Sequence, residues 1–447
     1  MPGLILSAPS SGAGKTTITL GILRALRNAG HDVRSAKSGP DYIDPQFHAA
    51  ATGQPCFNLD AWAMTPAQMK SLAAGESPII VEGAMGLFDG APPDGKGSTA
   101  DVARQLDLPV VLIVDAKAMS QSVAALVAGF ANHAADVTIA GLILNRVGSE
   151  RHSDMLKTAL APLDIPVLGA VPRSEALARP SRHLGLVQAG EMPDLEPFLN
   201  AAADLMARHI NLDALCALMV PTEWASVPKS GSLNKGRRVA IARDAAFSFT
   251  YAHSVAMLER SGATVVPFSP LADEPVPDAE QIILPGGYPE LYAAQIACNQ
   301  TFLKSLRTAS QSSEIYGECG GYMVLGETLI DADGTAHKMA GLLGLTTSFQ
   351  NPKLHLGYRA LRCIAPRHSD TWGVSGTHAA HEFHYATTLD AQGDPLFDAA
   401  DAYGAEIAPI GLVEGRVAGS FAHIIGKGTD HTDALLPDRA HRRSQDE

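Results

Sequence analysis

Cysteine is scarce in this chain of 447 residues. There are five, an odd number: Cys56, Cys216, Cys298, Cys319 and Cys363. None stands in a CxxC pair, which argues against a zinc ribbon, and their scatter argues against a disulfide framework. No apolar run approaches the roughly 20 residues a membrane-spanning helix needs. Net positive charge is missing too, since 34 Lys and Arg face 47 Asp and Glu, leaving −13. A general nucleic-acid or anionic-membrane binder carries the opposite sign, so neither partner is expected. A small anionic ligand remains compatible wherever positive charge is concentrated locally. The opening MPGLILSAPSSGAGK has no charged lead-in of the kind a secretory signal carries, and the expected location is cytoplasmic.

What is present is globular: 46% hydrophobic residues in a chain long enough for two or three domains. The first half alternates short β-branched runs with amphipathic stretches. GLILSAP (3–9), DVRSAK (32–37), PIIVEG (78–83), PVVLIVDA (109–116) and IAGLILNRV (139–147) read as strands. Helical patterns such as Thr16 to Ala29 and Gln121 to Asn132 fall between them. Strands apolar on both faces imply a parallel sheet covered by helices, hence a doubly wound α/β domain. A Ser-, Gly-, Pro- and Lys-rich stretch after Pro221 reads as a linker. Strand patterns restart at RVAIARD (238–244), TVVPFSP (264–270), QIILPGG (281–287) and SEIYGE (313–318). Two α/β domains follow, expected at 1–222 and 237–426, with a linker at 223–236 and a polar tail at 427–447.

Pro9-Ser10-Ser11-Gly12-Ala13-Gly14-Lys15-Thr16-Thr17 follows the first strand and opens the first helix. Glycines let backbone N–H groups crowd around phosphate oxygens, and the helix N-terminus adds partial positive charge. Lys15 can reach the β- and γ-phosphates, and the Thr16 hydroxyl is placed for Mg2+. The departure from GxxxxGK[ST] is Pro9 in the first glycine position. Two further segments end strands of the same sheet, where open α/β sheets bind ligands: Lys37-Ser38-Gly39-Pro40-Asp41-Tyr42-Ile43-Asp44 and Glu82-Gly83-Ala84-Met85-Gly86-Leu87-Phe88-Asp89. Each couples turn glycines to carboxylates, although either could be a turn with a capping Asp. Spacing alone leaves open which of Asp41, Asp44 and Glu82 touches a metal. Asn145, ending a strand, is a candidate for adenine, and Arg182 in SRHLGL for an anion.

Ile315-Tyr316-Gly317-Glu318-Cys319-Gly320-Gly321 places a cysteine between a strand and a helix. Such an elbow exposes its central side chain near a helix N-terminus, which lowers a thiol pKa. A nucleophile needs a base and an oxyanion hole. Gly286 and Gly287 of PGGYPE offer N–H donors alongside Gly320. His423 in GSFAH is the expected base, with His381 and His384 as rivals. HEFH has i, i+3 spacing and is not the HExxH zinc motif.

Together the ordered set APSSGAGKTT, KSGPDYIDPQFH, VEGAMGLFDG, SRHLGL, PGGYPE, GECGGYMVLG, HEFHY and GSFAH resembles the cobyrinic/hydrogenobyrinic acid a,c-diamide synthase family, over residues 4 to about 424. The resemblance implies a dethiobiotin-synthetase-like ATPase domain followed by a class I glutamine amidotransferase domain. It implies MgATP-dependent phosphorylation of a corrinoid carboxylate, then amidation by ammonia that Cys319 and His423 release from L-glutamine. Gly12, Gly14, Lys15, Thr16, Thr17 and Asn145 are then expected at the nucleotide, and Thr16, Asp41 and Glu82 at Mg2+. Lys37, Tyr42, Asp44 and Asp89 are expected at the substrate or acyl phosphate. The corrinoid acid, ATP and glutamine are the expected partners, with a homodimer as the assembly and the cobalt-free acid favoured.

Departures from the family pattern are specific. Where the family commonly has HLHF this chain reads His423-Ile424-Ile425-Gly426, and Ile425 stands where class I triads place a Glu. A Cys–His dyad is therefore expected. Phe88 stands where the family often has Tyr. A four-amide cobyric acid synthase and a P-loop regulatory ATPase with a degenerate second domain are the alternatives.

Overall fold

A computed structural model describes residues 2–174, 188–222, 224, 235–365 and 373–436, with the backbone of 181–182 and 185–186. The expected linker lies almost wholly outside the described residues. So does the side chain of Arg182, whose backbone pairs with Gly185 in a two-residue ladder. The chain forms two compact units, Met1–Val227 and Pro228–Glu447.

The first unit is built on β1 (Pro2–Ser7), β2 (Arg34–Ser38), β3 (Phe57–Leu59), β4 (Ile79–Glu82), β5 (Val110–Asp115), β6 (Ile139–Val147) and β7 (Val167–Pro172). Their order across the sheet is β3-β2-β4-β1-β5-β6-β7, and every neighbouring pair among them is parallel. Leu4, Ile5 and Leu6 of β1 are fully buried, as are Val110 to Val114 of β5. Burial on both faces is what their uninterrupted apolar runs demand. The helices that matter for the site are α1 (Lys15–Asn28), α2 (Asp44–Thr52), α3 (Pro66–Ala73), α4 (Thr99–Leu106) and α5 (Ser122–His133). β3 and β7 were not among the strands expected. Three residues are too few to show a period, and β7 lies at the sheet edge with mixed burial.

This order has one consequence for chemistry. β2, β4 and β1 are adjacent, so the three segments leaving their C-terminal ends meet at one edge of the sheet. Those segments are the phosphate loop, the Lys37–Asp44 turn and the Glu82–Asp89 loop.

The second unit holds a six-stranded sheet in the order Thr264–Phe268, Arg238–Ala242, Gln281–Leu284, Glu314–Glu318, Val417–Ser420, Leu412–Glu414. The first five strands are parallel and the last is antiparallel. A five-stranded antiparallel sheet includes Thr377–His384 paired with His423–Lys427. The tail expectation needs correction. Strand His423–Lys427 runs past residue 426, and a helix at Asp430–Leu435 follows with a Thr429 capping box. Leu436 is buried with Ala360 and Ala400, so apolar contact makes 427–436 part of the fold.

Candidate active site

At the edge of the first sheet, Gly14 precedes α1 as its N-cap, with a φ of 88° in the left-handed region that glycine tolerates. No side chain caps the helix, so its first amides remain directed at the loop. Lys15 is buried and its Nζ donates to Ser10 O at 3.3 Å and to Met85 O. Burial and the neighbouring Lys37 charge hold its pKa below the ordinary lysine value. Thr16 Oγ1 donates to Glu82 Oε1 at 2.6 Å and to Asp44 Oδ2 at 3.2 Å.

Lys37 sits among the same carboxylates, 2.8 Å from Asp44 Oδ2 and 2.7 Å from Glu82 Oε1. Burial alone would lower its pKa, but the Asp44 and Glu82 charges outweigh burial and keep it protonated. Glu82 is fully buried, a position that would raise its pKa. Lys37 and His48 overturn that and hold it down to about 2. His48 meets the second Glu82 oxygen at 2.6 Å. This histidine ends the KSGPDYIDPQFH segment and was not singled out from sequence. Its spacing four residues after Asp44, which puts both on one helix face, was the available signal.

Asp41 faces the same cluster through Oδ2, 3.9 Å from Lys37 Nζ. Its Oδ1 accepts from Ile43 N at 2.8 Å and Asp44 N at 3.0 Å, the pattern of a turn-capping Asp. Asp44 joins Glu82 and Thr16. Asn145, the residue expected at adenine, reaches the phosphate loop from the end of β6. Its Nδ2 donates to Ala13 O at 2.8 Å and its Oδ1 accepts from Arg146 N, so it braces the phosphate loop. Asp89 Oδ2 accepts from Gly86 N at 2.8 Å and closes the Glu82–Asp89 loop. Tyr42 is buried, Gly12 has a φ of 79°, and Thr17 is half-buried within α1.

In the second unit, Cys319 has φ 48°, an uncommon conformation for a side chain larger than glycine and the mark of a sharp strand-to-helix turn. Its amide donates to Ser420 O at 2.8 Å, which ties the elbow to the neighbouring strand. Gly286 defines the site. A Cβ there would lie 2.3 Å from His423 Cε1, 3.0 Å from His423 Nε2 and 3.3 Å from Cys319 Cβ. The imidazole and the cysteine therefore face one space that only glycine leaves open. Gly287 N lies 3.0 Å from the Cβ position of Gly320, so the two glycines are adjacent.

His423 is fully buried, and burial together with the His381 and His384 charges pushes its pKa down to about 3. It is neutral at physiological pH, as a general base must be. The thiol differs from the sequence expectation of a lowered pKa. Cys319 is 2% exposed, and burial with the nearby Glu290 charge pushes its pKa well up, only partly opposed by Gly320 N–H. The following helix, Gly320–Leu325, spans six residues, too short to offset that burial.

The rival histidines serve other contacts. His381 pairs with His423 across the ladder, and His384 stacks on Phe421 at 3.9 Å. Glu318, immediately before the cysteine, lies 3.9 Å from His423 Nδ1 and accepts from Ile424 N at 3.2 Å. Two residues after His423, where class I triads place a carboxylate, the chain has buried Ile425. The carboxylate near His423 comes instead from the residue before Cys319.

Residues 4–187 match the CobQ/CobB/MinD/ParA nucleotide binding domain, and residues 238–430 match the CobB/CobQ-like glutamine amidotransferase domain. The hydrogenobyrinate a,c-diamide synthase of Brucella anthropi is 53% identical over 437 residues, covering 95% of this chain and 98% of that protein. The chain belongs to the hydrogenobyrinate a,c-diamide synthase family. The synthase of Rhodobacter capsulatus is 50% identical over 95% of this chain and 98% of its own, and that of Rhizobium meliloti 49% over 95% and 99%. As a family member the chain is an amide-forming ligase with a nucleotide-binding unit and a glutamine amidotransferase unit. Among the described residues no helix is long and apolar enough to cross a membrane.

Among the described residues no group of three or more His, Cys, Asp or Glu is set to hold a metal ion. Mg2+ does not require one. It takes one or two carboxylates and completes its octahedron with phosphate oxygens and water. Thr16 Oγ1, with Asp44 and Glu82 each within hydrogen-bond reach of it, fits that demand.

Proposed function

We propose that this enzyme converts the a and c side-chain carboxylates of a corrinoid acid to amides, using ATP and glutamine, with hydrogenobyrinic acid as its substrate. The observation that carries the reading is one chain holding two complementary sites. Lys15, Thr16, Lys37, Asp44 and Glu82 converge at a phosphate loop, and Cys319 faces His423 across Gly286. The 53% identical relative is named for that reaction.

In the amidotransferase unit, neutral His423 takes the Cys319 proton as sulfur attacks the glutamine side-chain carbonyl. Gly287 and Gly320 N–H groups hold the resulting oxyanion. The imidazolium returns its proton to the leaving nitrogen, ammonia departs, and water hydrolyses the thioester to glutamate. In the synthetase unit, a carboxylate oxygen attacks the γ-phosphorus of ATP, and ADP leaves. Ammonia then attacks the acyl phosphate carbon and phosphate departs. Lys15 offsets the charge on the transferred phosphoryl group, and protonated Lys37 holds Asp44 and Glu82 in place. Thr16, Asp44 and Glu82 would hold Mg2+, which supplies charge neutralisation at the phosphates. A cytoplasmic, homodimeric enzyme is part of this proposal, and five free thiols accord with a reducing compartment.

Incubation with glutamine, MgATP and either hydrogenobyrinic or cobyrinic acid tests the reading. Diamide formation with the cobalt-free acid, one ATP consumed per amide, is the expected result. ATP turnover that no corrinoid acid alters would contradict it, and four amides would indicate the cobyric acid synthase reaction.

A further inference from the structure

A long uncharged surface helix stands beside the phosphate loop. Between Lys117 and Asp136 no Asp, Glu, Lys or Arg occurs. Yet only Val123 and Val127 of α5 are buried; Ala125 and Gly129 are exposed, and Leu126 and Phe130 are half-buried. A helix that is apolar on most sides is ordinarily buried, and an apolar face left open marks a binding surface.

That face lines a cavity of about 380 Å³, closed on the other side by Pro9, Phe88 and Asp89. A second cavity of about 330 Å³ shares Phe88 and His133 with the first, and its wall carries Asp94, Lys96, Ser98, Asp101 and Arg104. The two are halves of one groove, apolar along α5 and polar toward the 94–104 segment. Phe88 divides them, stacked on Phe130 with centroids 5.7 Å apart and tilted against His133 at 4.5 Å. Arg104 is held by Asp101 and Asp136, each at 2.8 Å, while Asp94 accepts from the Lys96 amide. Besides the paired Arg104, the polar half thus holds the Lys96 cation, beside the Asp94 carboxylate.

The groove adjoins the loops of the phosphate site through Pro9 and Asp89. Pro9 precedes Ser10, and Ser10 and Met85 carbonyls both accept from Lys15 Nζ. Asp89 anchors Gly86, next to Met85. A carboxylate that attacks the γ-phosphate must lie beside these loops, and the rest of its molecule must extend from there. Each half has the volume of a small-molecule site.

We propose that this groove seats the corrinoid macrocycle, its apolar face on Leu126, Phe130 and Phe88 and a carboxylate arm toward Lys96. The proposal rests on the corrinoid reading above. It also assigns Phe88 a role through its ring face, so that a hydroxyl at this position is not required. An amphiphilic, polycarboxylated ring matches a groove half apolar and half polar, whereas a second copy of the chain would need no link to Lys15.

Two full-length variants test it: Phe130→Ala, which removes the shelf, and Ala125→Glu, which places charge on it from an exposed position. Hydrogenobyrinic acid binding is read by calorimetry without ATP, alongside ATP affinity, glutaminase rate and molecular mass. Expected is a tenfold or greater loss of corrinoid affinity in both variants, with the other three readouts unchanged. Wild-type corrinoid affinity in both variants overturns the proposal. A changed mass with unchanged corrinoid affinity also overturns it and assigns α5 to contact between copies. A wild-type protein that binds no corrinoid acid overturns the substrate reading itself, a result distinguishable from the other two.

Discussion

Lys15 reaches two backbone carbonyls from a buried position, so its ammonium is held at the loop where the proposed reaction puts the phosphates. Lys15→Ala should lower amidation by about a hundredfold or more with glutamine and with free ammonia alike. Normal ammonia-dependent turnover in that variant would remove Lys15 from phosphoryl transfer. The buried Cys319 thiol makes a second prediction. Because burial raises its pKa, it should react slowly with iodoacetamide at pH 7, more slowly than exposed Cys298, as peptide mass mapping would show. Rapid labelling of Cys319 would mean that the resting enzyme holds a thiolate. At this scale Lys15, Cys319 and His423 were legible because each sits in a short segment whose backbone geometry follows from its glycines. Asp44 over Asp41 was not, since three residues separate them and only the Asp41 turn decides which carboxylate faces Thr16. Glu318 was not legible for a related reason, because its approach to His423 depends on two strands distant in sequence.

Elements position these residues. Strand order brings β2, β4 and β1 side by side, and the first turn of α2 carries Asp44 toward Glu82. Asp44→Asn should therefore raise the Mg2+ concentration needed for half-maximal ATP turnover, by about tenfold. Asp41→Asn should act mainly through the turn it caps, costing about 1 kcal/mol in thermal stability with little change in Mg2+ requirement. Equal Mg2+ shifts in the two variants would contradict this division. The parallel sheet and five of these seven strands were legible from apolar runs. The β3-β2-β4-β1 order was not, because nothing in a strand's own sequence says which neighbour it takes.

At the scale of the molecule the two units should respond differently to acid. His423, His253 and His381 are held by burial at about 3, 4 and 4, below the ordinary 6.5. The unfolded chain binds protons these sites refuse, so their contribution is complete above pH 6.5 and is lost as pH falls below it. Glu318, pushed up to about 8 by burial, works in the opposite direction but is one group against three. In the first unit, burial disfavours charge on His48, but Cys56 and Glu82 raise its pKa to about 10, so its contribution is complete below pH 6.5 and lost as pH rises through 10. Glu82 loses its contribution only as pH falls below 4.5 toward 2. Calorimetry from pH 7 to pH 5 should lower the unfolding temperature of the amidotransferase unit more than that of the synthetase unit, whose transition a non-hydrolysable ATP analogue identifies by raising it. Equal shifts would contradict the buried neutral histidines.

The central claim is that one chain makes ammonia at Cys319 and uses it at a separate phosphoryl-transfer site. Cys319→Ala tests it most directly, because ammonia added from solution bypasses the thioester. The folded variant is assayed with the corrinoid acid and MgATP, once with glutamine and once with an ammonium salt at alkaline pH, where more NH3 is unprotonated. Loss of glutamine-dependent amidation with retention of ammonia-dependent amidation is the predicted result. Loss of both, or retained use of glutamine, would contradict it.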